Sequence, residues 1–131
     1  LARYSERTPS PELRRWAARL EEQGIVLFVL SNSRKATRAD VFCTDLGIPY
    51  LKHAGKPKRG GFRRAMECNR ATPRECAIVG DQIFTDILGG NRSGVHSILV
   101  HPLAIDNVFR ALRYGVETPF RLLCRDKEEW K

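Results

Sequence analysis

The chain has 131 residues, 42% hydrophobic and 29% charged, with ten glycines and seven prolines, a balance that excludes disordered, collagenous and disulfide-scaffold classes. Its longest apolar run, Ile25 to Leu30, falls far short of the roughly 20 residues a membrane-spanning helix needs. Lys and Arg number 23 against 15 Asp and Glu, for a net charge of +8, and 17 of the 23 are Arg, whose planar guanidinium suits phosphate or carboxylate partners; the plain alternative is a solvated basic surface.

In chain order, Ser10-Pro11-Glu12 is a helix start, with an N-cap and Pro at the first helical position. Leu13, Trp16, Ala17 and Leu20 follow at helical spacing as a core-facing stripe, and Gly24 ends the helix. Ile25 to Leu30 reads as a strand buried on both faces, closed by Ser31-Asn32-Ser33. A second helix over about 34–46 stops at Gly47, and Ile48-Pro49-Tyr50-Leu51 makes a short strand. Beyond the loop Gly55-Lys56-Pro57-Lys58, a helix near Phe62 to Asn69 precedes a buried strand at Ala77 to Val79. Thr85 to Asn91 is a short helix capped near Gly94, and Ser97 to Val100 is a further strand. Ile105, Val108, Phe109 and Leu112 share one stripe of a last helix, which either packs on the sheet or lies as a basic amphipathic surface on a membrane. A separate short segment, Phe120 to Leu123, is expected after Pro119.

Strands alternating with helices indicate repeated βα units around a parallel sheet, so the fold class is α/β and the expected organisation is a single domain over 1–131. Ligands in such sheets bind beyond the carboxyl ends of the strands, which directs attention to three loops. Ser31 and Asn32 follow the first strand, where a hydroxyl and backbone N–H groups can hold a phosphate, although both residues are also ordinary helix caps. Lys56 stands in the second loop. Asp81 ends a strand and Asp86 opens the next helix, a carboxylate pair suited to sharing magnesium, unless Asp86 merely complements a helix N-terminus. A hydroxyl, a lysine and two carboxylates on three loops are the groups that phosphoryl transfer needs. His53, His96 and His101 share no ligand spacing. Cys43, Cys68, Cys76 and Cys124 form no Cys-x-x-Cys, which suits a reduced, cytoplasmic protein, and Cys43, Cys68 and Cys76 read as small buried residues.

The order Ser31-Asn32, Lys56-Pro57, Gly80-Asp81 to Thr85-Asp86 resembles motifs II, III and IV of the haloacid dehalogenase (HAD) superfamily of phosphatases. Leu30-Ser31-Asn32, Leu46-Gly47-Ile48-Pro49, Gly55-Lys56-Pro57 and Gly80-Asp81-Gln82 through Asn91-Arg92 resemble its YqeG-type subgroup within subfamily IIIA. The resemblance implies a Rossmann-like three-layer fold without a cap domain. It implies that Ser31, with the Asn32 backbone, binds the phosphoryl oxygen, that Lys56 stabilises the nucleophile and the transferring group, and that Asp81 and Asp86 hold Mg2+. The implied reaction is phosphomonoester hydrolysis through an aspartyl-phosphate. The implied substrates are phosphorylated small molecules or a phospholipid headgroup such as phosphatidylglycerophosphate, reached at the inner face of an anionic membrane. The family's Asp-x-Asp-x-Thr motif is absent, and Leu1-Ala2 followed by Thr8-Pro9 resembles its continuation. The expectation is therefore a fragment that lacks its first, central strand and its nucleophile, and that is inactive alone. The rival expectation is a catalytically inactive HAD-like module whose basic surface binds RNA, a ribosomal particle or anionic membrane.

Overall fold

The computed structural model describes residues 8–33, 36–102 and 108–124. Helix α1 (Pro11–Glu22) starts where Ser10 Oγ accepts the Leu13 N–H at 3.3 Å, with Pro11 in the first turn, where the missing N–H costs nothing. Strand β1 (Val29–Leu30) then pairs in parallel with β2 (Tyr50–Leu51), in the register Val29 to Tyr50, and α2 (Ala36–Leu46) forms the crossover. Helix α3 (Arg59–Asn69) leads through a single 3-10 turn, Pro73–Glu75, to β3 (Ala77–Gly80). A π-helical turn, Ile83–Ile87, runs into α4 (Leu88–Ser93). Strand β4 (His96–Leu99) then pairs in parallel with β3, with Ala77 opposite His96 and Gly80 opposite Leu99. Helix α5 (Val108–Cys124) ends the described chain.

The two strand pairs are separate two-stranded sheets, β1-β2 and β3-β4. They are connected through α3, whose Phe62 is 3% exposed and contributes to a small core with Cys43, Ala54, Ile83 and Val95. Helix α4 lies so close to α3 that a Cβ on Gly89 would come within 2.6 Å of the Phe62 ring and 3.2 Å of Pro57 Cα, so glycine is what permits the contact.

The α/β class and parallel pairing agree with the sequence reading, and between Ser31 and Lys56 the described residues hold only α2 and β2, with no cap domain. Several local expectations are corrected. The apolar run Ile25 to Leu30 is strand only at its last two residues; Ile25 and Val26 are 47% and 69% exposed because no neighbouring strand covers them. Trp16 faces outward at 42% exposure, since α1 turns toward Asp45 through Arg14. Val79 on β3 is 56% exposed rather than buried. Cys68 is exposed, whereas Cys43 is buried as expected. Pro119 lies inside α5, which continues unbroken through Phe120. Of the last stripe, Ile105 lies outside the described residues, while Val108 and Leu112 are exposed and do not pack on the sheet. Trp130 also lies outside the described residues.

Candidate active site

Both strand pairs end at one ammonium group. Lys56 Nζ donates to the Leu30 carbonyl at the end of β1 at 2.9 Å, and to Asp86 Oδ1, in the turn after β3, at 2.5 Å. The side chains of Lys56 and Asp86 are 11% and 8% exposed, so each charge is largely removed from water and depends on the other. An ammonium has three donors, and two are engaged here, which leaves the third for a ligand.

The Lys56 backbone is fixed as tightly as its head group. Asn32 Nδ2 donates to the Lys56 carbonyl and the Lys56 N–H donates to Asn32 Oδ1, each at 2.9 Å, and the Lys56–Pro57 peptide is cis. Asn32 thus locks the loop with its side chain. Ser31 continues β1, with its N–H on the Leu51 carbonyl, and its Oγ accepts the Ser33 N–H at 3.1 Å. That hydroxyl oxygen acts as acceptor, leaving its hydrogen to donate to an anion.

Asp86 is held from its other side by the Gln82 N–H, which donates to Oδ2 at 3.2 Å. The π turn makes this possible, because Asp86 and Ile87 both send their N–H groups to the Gln82 carbonyl, at 2.8 and 3.3 Å, and the carboxylate folds back over the strand end. A Cβ on Gly80 would collide with the Asp86 side chain, so the strand must end in glycine there. Asp81 stands next to Gly80, partly exposed, and among the described residues its carboxylate has no partner.

Ser31, Asn32, Lys56 and Asp86 are therefore brought into one cluster, with Asp81 at its border. Magnesium takes one or two carboxylates together with waters and substrate oxygens. Asp81 and Asp86 are the carboxylates that would hold such an ion, with Asp86 already engaged by Lys56 and the Gln82 N–H; among the described residues no three His, Cys, Asp or Glu side chains gather into one metal cluster.

Sequence reasoning missed a second set of residues, on α5. Glu117, 1% exposed, accepts the Phe84 N–H at 3.3 Å and an Arg121 N–H at 3.0 Å, while Arg121 also donates to the Asp81 carbonyl. Arg113 donates to Gln82 Oε1 at 2.7 Å, the atom that also accepts from Thr85 Oγ1 at 2.8 Å. The Phe120 ring meets Phe84 edge-on at 5.4 Å. The Glu117–Arg121 spacing of four, opposite the apolar stripe, was the available signal.

Elsewhere, burial raises the pKa of the Cys43 and Cys76 thiols, which opposes the thiolate form and a nucleophilic role. The Lys52 ammonium, 2.7 Å from Asp40, lowers the Asp40 carboxyl pKa, and Asp40 in turn raises that of Lys52.

A family model described as HAD-hydrolase-like matches residues 53–102. The chain is 37% identical over 129 residues to "Probable phosphatase YqeG" of Bacillus subtilis (strain 168), an alignment covering 98% of this chain and 74% of that protein. It is also 44% identical over 59 residues to the chloroplastic phosphatidylglycerophosphate phosphatase 1 of Chlamydomonas reinhardtii, covering 44% of this chain and 22% of that protein. Among solved structures, an uncharacterized protein from Listeria monocytogenes serotype 4b superposes with a TM-score of 0.57 at 17% identity, over 89% of this chain and 80% of that one, which is a likeness of fold. With the first of these relatives matched along nearly all of this chain, and the Lys56–Asp86 cluster placed at the strand ends, the chain belongs to the YqeG-type phosphatases of the HAD superfamily.

Proposed function

We propose that this chain supplies the phosphate-handling groups of a magnesium-dependent phosphomonoester hydrolase that works through an aspartyl-phosphate, with phosphatidylglycerophosphate or a related ester as substrate. The observation that carries the reading is Lys56 Nζ, fixed between the Leu30 carbonyl and Asp86 with one donor to spare. Preorganised donors of this kind stabilise charge that develops on a transferring phosphoryl group, since they need no reorientation during the reaction.

In this reading the Ser31 hydroxyl and the Asn32 N–H bind phosphoryl oxygens, and Lys56 neutralises charge between them and the attacking carboxylate. Asp86 keeps Lys56 aimed, and Asp81 with Asp86 holds the ion. Magnesium would supply Lewis-acid neutralisation of the phosphoryl oxygens. The reaction also requires a carboxylate nucleophile, and no Asp-x-Asp-x-Thr stands among the 131 residues. The separate pairs β1-β2 and β3-β4 are compatible with such a group arriving on a strand between β1 and β3, close to the Lys56 ammonium. Similarity to a phosphatidylglycerophosphate phosphatase and the net charge of +8 support an anionic lipid ester.

The test is phosphate release by the full-length protein from phosphatidylglycerophosphate with magnesium present. Ser31→Ala and Lys56→Ala should each lower kcat by roughly 10²-fold, the usual cost of one oxyanion-type contact. The 131 residues alone should release none. Unchanged release in both variants overturns the assignment, and tight, steeply salt-dependent RNA binding without turnover would favour a binding module instead.

A further inference from the structure

Helix α5 leaves Val108, Leu112 and Val116 exposed and meets the turn of residues 81–85 with Arg113, Glu117 and Arg121. Glu117 is 1% exposed and the Arg121 side chain 10%, so both charges are largely desolvated. A buried ion pair commonly stabilises a fold no more than apolar residues of the same volume would. The groups that this pair holds are therefore a better guide to its role than its contribution to stability.

Glu117 Oε1 accepts the Phe84 N–H at 3.3 Å, and its Oε2 accepts from Arg121 Nη2 at 3.0 Å. The same arginine nitrogen donates to the Asp81 carbonyl, and the guanidinium lies 4.6 Å from the centre of the Tyr114 ring, which limits its swing. The N–H of that Asp81–Gln82 peptide donates to Asp86 Oδ2 at 3.2 Å, and the other oxygen of Asp86 holds Lys56. One peptide unit is thus pinned at both ends, by Arg121 on its carbonyl and by the partner of Lys56 on its N–H. We infer that Glu117 and Arg121 are positioning residues for the phosphate-handling site: they fix the Asp81–Gln82 peptide and, through it, the direction in which Asp86 aims Lys56. A peptide free to tip withdraws the donor from Asp86 Oδ2, and a carboxylate gripped at one oxygen only can turn away from the ammonium. Arg113 adds a further tie to the same turn, at Gln82 Oε1. The consequence for turnover rests on the phosphatase reading above, whereas the pinning of the peptide stands without it.

The experiment measures amide hydrogen exchange at Gln82, together with phosphate release, in the full-length protein. Replacing Arg121 alone strands a buried carboxylate, so the probe is the double variant Glu117→Gln, Arg121→Met, which removes both charges together and keeps an amide oxygen for the Phe84 N–H. Phe120→Leu is the control, because it loosens α5 against Phe84 without touching these hydrogen bonds. Exchange at Gln82 should quicken roughly tenfold or more in the double variant and stay near the parent rate in Phe120→Leu and in Arg121→Lys, which keeps a donor. Glu117→Gln alone, the milder change, should give a smaller rise and serves if the double variant does not fold. On phosphatidylglycerophosphate, kcat should fall roughly tenfold in the double variant with KM held, and Arg121→Lys should recover most of it, as expected when a group is misaimed in the transition state. Unchanged exchange at Gln82 in the folded probe overturns the inference. So does an equal rise in Phe120→Leu, which would make α5 simple packing, and so does a loss confined to KM. Parent protein that hydrolyses no phosphate ester sinks the phosphatase reading, and exchange at Gln82 then decides the bracing by itself.

Discussion

At the scale of single residues, the site depends on one glycine as much as on its charges. Asp86 can lie over the end of β3 only because Gly80 presents no Cβ, and Asp86 in that place is what offsets the buried Lys56 ammonium. Gly80→Ala should therefore do more than overpack: it should push the carboxylate away from Lys56 and lose part of a largely desolvated pair. A loss of about 1–3 kcal/mol from overpacking alone is expected, with more if the pair opens. Gly60→Ala is the control, since a Cβ there meets nothing within 4 Å in the first turn of α3, and it should hold or raise stability by up to about 1 kcal/mol. Urea unfolding of the two variants checks this. Equal midpoints would show that Gly80 is not what positions Asp86.

Among the elements, the turn before β3 carries a testable pH dependence. Glu75 Oε2 accepts from the Thr72 N–H at 2.8 Å and from Thr72 Oγ1 at 2.7 Å, and these bonds, backbone first, lower the Glu75 pKa in the folded chain. A folded pKa below the unfolded one gives stability that is present at neutral pH and lost as the pH falls through the folded value. Glu75→Gln should lower stability at neutral pH and flatten the acid slope, so that parent and variant converge in acid; parallel slopes in urea midpoints would remove Glu75 from the account. Starts and stops of this local kind were legible in the sequence, as at Ser10-Pro11, where both cap and proline act as read, and at Gly94, with φ of 74°. Strand extents were not. The run Ile25 to Leu30 is uniformly β-prone, but pairing with β2 reaches only Val29 and Leu30, because a strand's length is set by its partner. The order Ser31, Lys56, Asp81, Asp86 pointed to the loops that hold the Lys56–Asp86 pair, while Asn32's side-chain lock on Lys56 and the α5 contacts needed coordinates. Periodicity marks two faces of α5 and is silent on which one meets the protein.

For the whole molecule, the balance of buried and exposed apolar residues sets the behaviour of these 131 residues in solution. Five apolar residues are buried among those described, whereas thirteen large ones are exposed, and they concentrate where elements lack neighbours: Ile25 and Val26 before β1, Val79 on β3, and the outer face of α5. In a parallel pair each strand uses one edge, so β1 and β3 keep a second edge that, among the described residues, has no strand opposite it. The Leu30 carbonyl is satisfied by Lys56 instead, which couples the integrity of the site to the state of that edge. The 131-residue chain should accordingly bind a hydrophobic dye such as anilinonaphthalene sulfonate at neutral pH, and its unfolding should have a smaller urea m-value than a fully packed domain of equal length, because less apolar surface is newly exposed. A dye-silent monomer with a full-size m-value would mean that the β1 and β3 edges close on each other in solution. Dye binding that disappears when a β-strand peptide is added to pair with that seam would locate the exposed apolar surface at the β1 and β3 edges.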